Sequence, residues 1–413
     1  MENLGPGAGR DVAGIRLPVV GSVVSTEGVG LPFAVVDATG KEVEPISEFM
    51  QEMSAGDMPD SSCRSYAFDL LRWWRFLAAI EVEWDRAQRV DVRDLVLWLR
   101  HARNPQRVRT RQGAPAAGSV NARTGKPYLA EGYAPRTINH QLSVLKQFYD
   151  FHLGAGRGPV VNPVPAATRG GARPGAHGNP LHEFVTHRRG AYRQKVPEQA
   201  PRVVDDALWN ELFAAMTSHR DRAILATYIS SGARASELLG MRCDDLGFGR
   251  QTISVIGKGT RTRQTIPASP DAFVWIRLYL AEGHVAPVDA PLPADAPLWV
   301  TLRGPRKPLS YWAMRAVLNR ANSQLGANIT LHDLRHTCAA RMMADPHMAI
   351  TDVQAVLRHK SLATTGMYGT VQLDELINRT LEHHARRAAP PPPRPHPAYN
   401  TADLAVLFGE QAG

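Results

Sequence analysis

After "NPVP" at 162–165 the chain turns rich in Gly, Pro, His and Arg, and it stays so until about Pro201. Such a stretch carries turn formers and breakers but no periodic apolar face, so it cannot build a core. It reads as a basic linker, 159–200, that divides the 413 residues into two folding units. A chain of this length is expected to hold two domains.

Before the linker the pattern is helical. "SSCRSYAFDLLRWWRFLAAI" (61–80) places Tyr66, Leu70, Trp73, Trp74 and Leu77 on one face, with Ser61 or Ser62 available as a cap. "VRDLVLWLRHA" (92–102) is a second amphipathic helix, and 134–153 is a third, with Ile138, Leu142, Leu145 and Phe148 or Tyr149 as its stripe. Residues 60–158 are therefore expected to form a helical domain. Residues 1–59 are weakly patterned and read as an N-terminal extension. Within them "FAVVDATGKEVEP" suggests strand, turn and strand, a small hairpin.

Between the second and third helices, residues 100–127 hold seven Arg or Lys and no Asp or Glu. The uniform sign suits phosphate contact, and Arg100, Arg103, Arg107, Arg109, Arg111, Arg123 and Lys126, with Arg136 on the next helix, are the candidate DNA-binding residues. The whole chain has a formal net charge of +9, which favours a polyanionic partner. No apolar run approaches 18 residues, so no membrane span is expected, and the N-terminus lacks the layout of a secretory signal. Cys63, Cys243 and Cys338 lie far apart with no CxxC pair, which suits a reduced, cytoplasmic protein without a cysteine metal site.

Beyond the linker, helical patterns at "DDALWNELFAAM" and "RDRAILATYISSG" precede a β stretch at 251–269, whose two arms flank Gly257-Lys258-Gly259. Helices are expected again near 270–283, 308–325, 330–344, 350–358 and 371–387, followed by a Pro-rich tail, 389–413. Tyr228, Tyr279 and Tyr311 sit in apolar helical patterns and read as core. The fold class is thus mainly α with a small antiparallel β-sheet.

Five features of this half share one chemistry: Arg234 and Glu237 in "ARASEL", Lys258 in "GKG", His332 and Arg335 in "HDLRHT", His359 in "RHKS", and Tyr368. Taken singly each has an ordinary reading. An Arg and a Glu at i and i+3 are commonly a surface pair, a turn commonly carries Lys, and His332 with His336 at i and i+4 resembles half a zinc site without a third ligand. Taken together they are what phosphodiester cleavage needs without a metal. Arginine forks hold the non-bridging oxygens and stabilise the charge of the pentavalent transition state. A tyrosine hydroxyl attacks phosphorus, and a Lys or His protonates the leaving oxygen.

"GARASEL", "GKGTR", "HDLRHT" and "LRHKSLATTGMY", in this order and with Tyr368 nine residues after His359, resemble the tyrosine recombinases of the phage integrase family. The resemblance covers residues 200–388 closely and extends more loosely to 60–155. It implies a helical core-binding domain at 60–158, a mixed α/β catalytic domain at 201–388, and site-specific recombination of double-stranded DNA. A homotetramer on two DNA sites would exchange strands through a Holliday junction, with room for accessory proteins and no metal or other cofactor. It implies that Arg234 and Arg335 clamp the scissile phosphate and that His332 acts as base or hydrogen-bond donor. Lys258 becomes the acid for the 5′-hydroxyl, and His359 donates to a non-bridging oxygen. Glu237 orients the arginine and His side chains from behind, and Tyr368 forms the 3′-phosphotyrosine. The polar, small-residue run before Tyr368 suits a segment that must move to reach a phosphate. Arg358 departs from the family, which usually has Gly there. A type IB topoisomerase and a non-cleaving DNA-binding relative are the alternatives.

Overall fold

The structure, a computed structural model, describes residues 10–26, 30–107, 115–166, 169–170, 186–187, 190–197, 202–257, 262–287, 290–345 and 347–358. The chain separates into two compact units, Met1–Gln199 and Ala200–Gly413.

In the first unit β1 (Ser22–Ser25) pairs antiparallel with β2 (Phe33–Val36), and the helices are α1 (Glu44–Ala55), α2 (Asp60–Ala79), α3 (Arg89–His101) and α4 (Pro135–Gly154). Two short strands follow α4, β3 (Arg169–Gly170) and β4 (Thr186–His187), and they pair antiparallel. Three expectations change here. Phe33–Val36 pairs backwards with Ser22–Ser25, and the "DATG" turn returns only as far as a single bridge, Val36 to Glu42. The chain then enters α1 with Pro45 in its first turn, where a missing N–H costs nothing. Residues 31–55 are also no extension: Leu31, Ala34, Val35, Ile46, Phe49 and Met50 are buried in the same core as α2, α3 and α4. Finally, α2 starts at Asp60 after Pro59 with no side-chain cap, so Ser61 and Ser62 lie inside the helix.

Aromatic packing holds this core. Trp73 is fully buried and its indole N–H donates to the Tyr149 hydroxyl at 2.9 Å. That hydroxyl donates in turn to the Trp84 carbonyl at 3.0 Å. Burying such side chains contributes about 1.5–3 kcal/mol each, and the paired polar tips remove the desolvation penalty. Part of the linker is tied to α4: Asn139 and Gln194 exchange two hydrogen bonds at 2.7 and 3.0 Å, and Arg193 donates to the Ser143 hydroxyl at 2.7 Å.

In the second unit the helices are α5 (Asp206–Ala214), α6 (His219–Ser231), α7 (Ala235–Leu239), α8 (Pro270–Leu280), α9 (Tyr311–Leu325), α10 (Leu331–Ala344) and α11 (Ile350–Leu357). A three-stranded antiparallel sheet, β5 (Leu246–Gly247), β6 (Thr252–Ile256) and β7 (Arg263–Pro267), lies between α7 and α8 in sequence. Asp205, Ser218, Ser269, Ser310 and Thr330 cap α5, α6, α8, α9 and α10 with side-chain oxygens. Ile253, Val255 and Ile266 turn one face of the sheet into a core shared with α6, α8 and α9. Tyr228 and Tyr279 are core residues, but Tyr311 is 45% exposed in the first turn of α9. The apolar pattern of α9 starts one turn later, with Met314 and Leu318.

Among the described residues no helix is long and apolar enough to cross a membrane. The expected helix at 371–387 and the tail at 389–413 lie outside the described residues.

Candidate active site

The site begins at the end of α6. Gly232 closes that helix in the left-handed conformation, φ +58°, and a side chain there would meet Leu357 Cδ2 at 2.7 Å and Cys338 Sγ at 3.1 Å. Only glycine suits both the backbone angle and the space. Two residues on, Arg234 occupies the N-cap position of α7, where a Ser, Thr, Asp or Asn would normally accept a hydrogen bond. A guanidinium cannot accept, so the N-cap residue gives α7 no side-chain cap.

Glu237 compensates. Its Oε2 accepts the Arg234 backbone N–H at 2.8 Å and its Oε1 accepts Nη1 of the Arg234 side chain at 2.8 Å. The Glu237 side chain is 1% exposed and that of Arg234 is 38% exposed, so the pair is anchored at the acid and open at the base. Burial pushes the Glu237 pKa up, but the two Arg234 hydrogen bonds and the charges of Arg358 and Arg234 outweigh it. The carboxyl therefore sits below its ordinary value of 4.5. Behind it, the Leu238 carbonyl accepts the Trp299 indole N–H at 2.8 Å, which fixes α7 to the core.

Arg335 comes from α10. It is 5% exposed, donates from Nη1 to the Gly232 carbonyl, and donates from Nη2 to the Leu357 carbonyl at 2.5 Å. Thus one side chain joins the ends of α6 and α11. His332 is exposed one turn earlier on α10, and its ring meets that of His336 edge-on at 4.2 Å between centroids. Asp333 is occupied in a capping box: its carboxylate accepts from the Thr330 backbone N–H and hydroxyl, both at 2.8 Å. Among the described residues no three His, Cys, Asp or Glu side chains gather as a metal site.

The α11 helix ends at Arg358, which is left-handed at φ +54°. Its guanidinium turns inward, donating to Glu237 Oε2 at 2.5 Å, while its carbonyl receives Nη2 of Arg234 at 3.4 Å. So Arg234, Glu237, Arg335 and Arg358 form one connected group. The sequence marks Arg358 as a departure but does not orient its side chain. Gly232 has no assigned role in the motif, although a glycine that ends a helix just before Arg234 is a legible signal.

Lys258, His359 and Tyr368 lie outside the described residues. The strands that lead to Lys258 are described: Ile256 pairs with Arg263, and the Gly257 N–H donates to the Thr262 carbonyl at 3.0 Å. Arg358 directly precedes His359.

In the first unit, Arg100, Arg123 and Arg136 are exposed and Lys126 is half-buried, whereas Arg109 and Arg111 lie outside the described residues. Arg103, 82% exposed, faces Glu131 at 3.2 Å. Arg107 donates to the Ala130 and Gly132 carbonyls at 3.1 and 2.9 Å. The basic loop also has an organised part. Asn121 Oδ1 accepts from the N–H groups of Arg123 and Thr124 at 3.0 and 2.9 Å, and its amide donates to the Tyr128 hydroxyl at 2.6 Å. This Asx turn presents Arg123 at its outer edge.

Residues 202–374 match the model of the phage integrase family. That span holds the site motifs, so residues 202–374 are similar to the catalytic part of the tyrosine recombinases. The chain is 34% identical over 164 residues to the tyrosine recombinase XerC of Thermodesulfovibrio yellowstonii, a match covering 39% of this chain and 53% of that protein. It is 27% identical over 301 residues to the XerC of Halalkalibacterium halodurans, covering 70% of this chain and 89% of that protein. The chain thus spans about half the length of the first relative and most of the second. Its fold is shared with the Tn1549 transposon integrase in complex with circular intermediate DNA, at a TM-score of 0.53 and 14% identity, over 81% of this chain and 98% of that one.

Proposed function

We propose that this protein is a site-specific DNA recombinase that cuts and rejoins strands through a 3′-phosphotyrosine at Tyr368. The observation that carries this reading is the joining of Arg234 and Arg335 by Glu237, Gly232 and the end of α11. Two guanidinium groups from distant parts of the sequence are held as a unit, and the open one keeps an edge toward solvent. Arg234 offers its open edge to a phosphodiester, and Arg335, 5% exposed here, adds its charge to the transition state once the substrate reaches it.

In this mechanism Arg234 and Arg335 hold the non-bridging oxygens, with His332 and His359 as further donors. Tyr368 attacks phosphorus and gives its proton to a base, the role His332 takes where it is not a donor. The P–O5′ bond breaks, Lys258 protonates the departing 5′-oxygen, and the 5′-hydroxyl freed on the other duplex then attacks the phosphotyrosine and releases Tyr368. Phosphate-bond energy is kept in the protein–DNA ester, so neither ATP nor a metal ion is required. Arg100, Arg103, Arg107, Arg109, Arg111, Arg123, Lys126 and Arg136 bind backbone phosphates. Four protomers on two DNA sites exchange strands in turn through a Holliday junction.

The test uses a nicked duplex drawn from the DNA on either side of the gene, incubated with wild type or Tyr368→Phe and run on a denaturing gel. A DNA-linked band with wild type alone, unaffected by EDTA, is expected. Binding without any band would overturn cleavage in favour of the non-cutting relative. Relaxation of supercoiled DNA by a monomer would favour the topoisomerase reading.

A further inference from the structure

Arg358 stands where glycine would be cheaper. A non-glycine residue in the left-handed region costs about 1 kcal/mol, and φ here is +54°. The side chain is not lost to solvent in return. It is 7% exposed, and Nη2 reaches Glu237 Oε2 at 2.5 Å across 121 residues of sequence. Nη1 donates to the Val356 carbonyl at 2.8 Å, and Nε is buried with no partner among the described residues. A buried guanidinium that is strained at its backbone and incompletely satisfied is a poor stabilising device, so its value lies in what it does to Glu237.

The two oxygens of Glu237 have separate tasks. Oε1 takes Nη1 of Arg234, and Oε2 takes the Arg234 backbone N–H together with Arg358. With Oε2 held from two sides, the carboxylate plane cannot turn, and Arg234 is left with one orientation. We propose that Arg358 is a positioning residue that clamps Glu237 and thereby aims the open edge of Arg234 at the scissile phosphate. This rests on the recombinase reading above and deepens it. A direct phosphate contact by Arg358 would need its guanidinium to leave Glu237 and become exposed.

The groups around this clamp come from four elements: Tyr228 on α6, Arg234 at the start of α7, Arg335 and Cys338 on α10, and Arg358 after α11. Cys338 is buried and its thiol is pushed up to about 12 by burial, so it stays neutral. The charge balance at Glu237 is therefore set by the arginines.

The experiment compares wild type with Arg358→Gly, Arg358→Ala and Arg358→Lys. Three quantities are read on the nicked duplex: the single-turnover rate of covalent complex formation against pH, the Kd, and its salt dependence. Arg358→Gly is expected to fold at least as well as wild type, because it removes the backbone strain. Its cleavage rate at neutral pH should fall by about tenfold, the value of one charge-assisted hydrogen bond, with Kd and salt slope unchanged. The acid limb of its pH profile should move to higher pH, and Arg358→Lys should recover part of the rate. Cleavage equal to wild type, with the same acid limb, overturns the proposal. So does a weaker Kd with a shallower salt slope, which would make Arg358 a phosphate contact. If wild type forms no covalent complex, it is the recombinase reading that fails. The clamp is then judged by infrared titration of the Glu237 carboxyl, isolated by subtracting Glu237→Gln spectra. Protonation beginning at higher pH in Arg358→Gly supports it, and an unchanged onset overturns it.

Discussion

Arg335 Nη2 donates to the main-chain carbonyl of Leu357 at 2.5 Å, so a catalytic candidate is also the tie between α10 and the end of α11. Because its other arm reaches the Gly232 carbonyl, the same side chain supports both backbone turns of the site. Arg335→Ala should therefore abolish cleavage and also lower stability by about 2–4 kcal/mol, because the Gly232 and Leu357 carbonyls lose their donors. Arg234→Ala, at the exposed end of its pair, should abolish cleavage with a smaller loss. Chemical denaturation of both variants beside the covalent-complex assay checks the contrast.

Gly232→Ala should be damaging although it adds one methyl group. The new Cβ would lie 2.7 Å from Leu357 Cδ2, on a backbone already at φ +58°. A destabilisation of about 1–3 kcal/mol is expected, together with reduced cleavage, because the Gly232 carbonyl carries Arg335. Thermal unfolding and single-turnover rates on the same preparation measure both effects.

Asp221 and Arg220 form a buried pair in the first turn of α6, at the opposite end of that helix from Gly232. Nε and Nη2 of Arg220 reach Asp221 Oδ1 at 2.9 and 2.6 Å, and Nη1 reaches the Val300 carbonyl at 2.8 Å. Asp221→Asn leaves a buried guanidinium without its counter-charge and should cost about 3–5 kcal/mol. Urea denaturation should show a lower midpoint with an unchanged slope.

Two histidines of the first unit should make its stability depend on pH in opposite directions. His140 Nδ1 lies 2.6 Å from Asp69, and that hydrogen bond raises its pKa above 6.5 despite partial burial. Its contribution is complete below pH 6.5 and is lost as pH rises through the raised value. His152 is fully buried against Trp84, Phe148 and Phe151, with Nε2 at 3.0 Å from the Pro45 carbonyl, and burial holds its pKa below 6.5. Its neutral form is the stable one, so the native state weakens as pH falls below 6.5. Thermal midpoints between about pH 5 and pH 8 should lose acid sensitivity in His152→Gln and alkaline sensitivity in His140→Gln.

The elements that were legible in advance are those whose signal is local. The helices at 60–79 and 135–154 follow from an apolar stripe repeating every turn, and β6 and β7 follow from β-branched arms around a glycine-flanked turn. Tyr311 was not legible, because an aromatic at a helix start satisfies the same periodicity whether or not the core extends that far. Nor was the first hairpin, since the choice between Ser22–Ser25 and the segment after the turn depends on which strand the α1 and α2 faces leave room for. Asn121 was hidden for a different reason: an Asx turn needs only one side chain and leaves no period.

The order and spacing of the motifs around Arg234, Lys258, His332, Arg335, His359 and Tyr368 are legible in the sequence as a resemblance to the phage integrase family, whose model matches residues 202–374. The direction in which a side chain points is not contained in that order. Arg358 could have faced a phosphate or the interior, and only the packing of α11 against α10 and Gly232 sends it to Glu237. The reason is physical. A residue's chemistry is local to the sequence, but the partner that fixes its orientation is supplied by whatever segment the fold brings alongside.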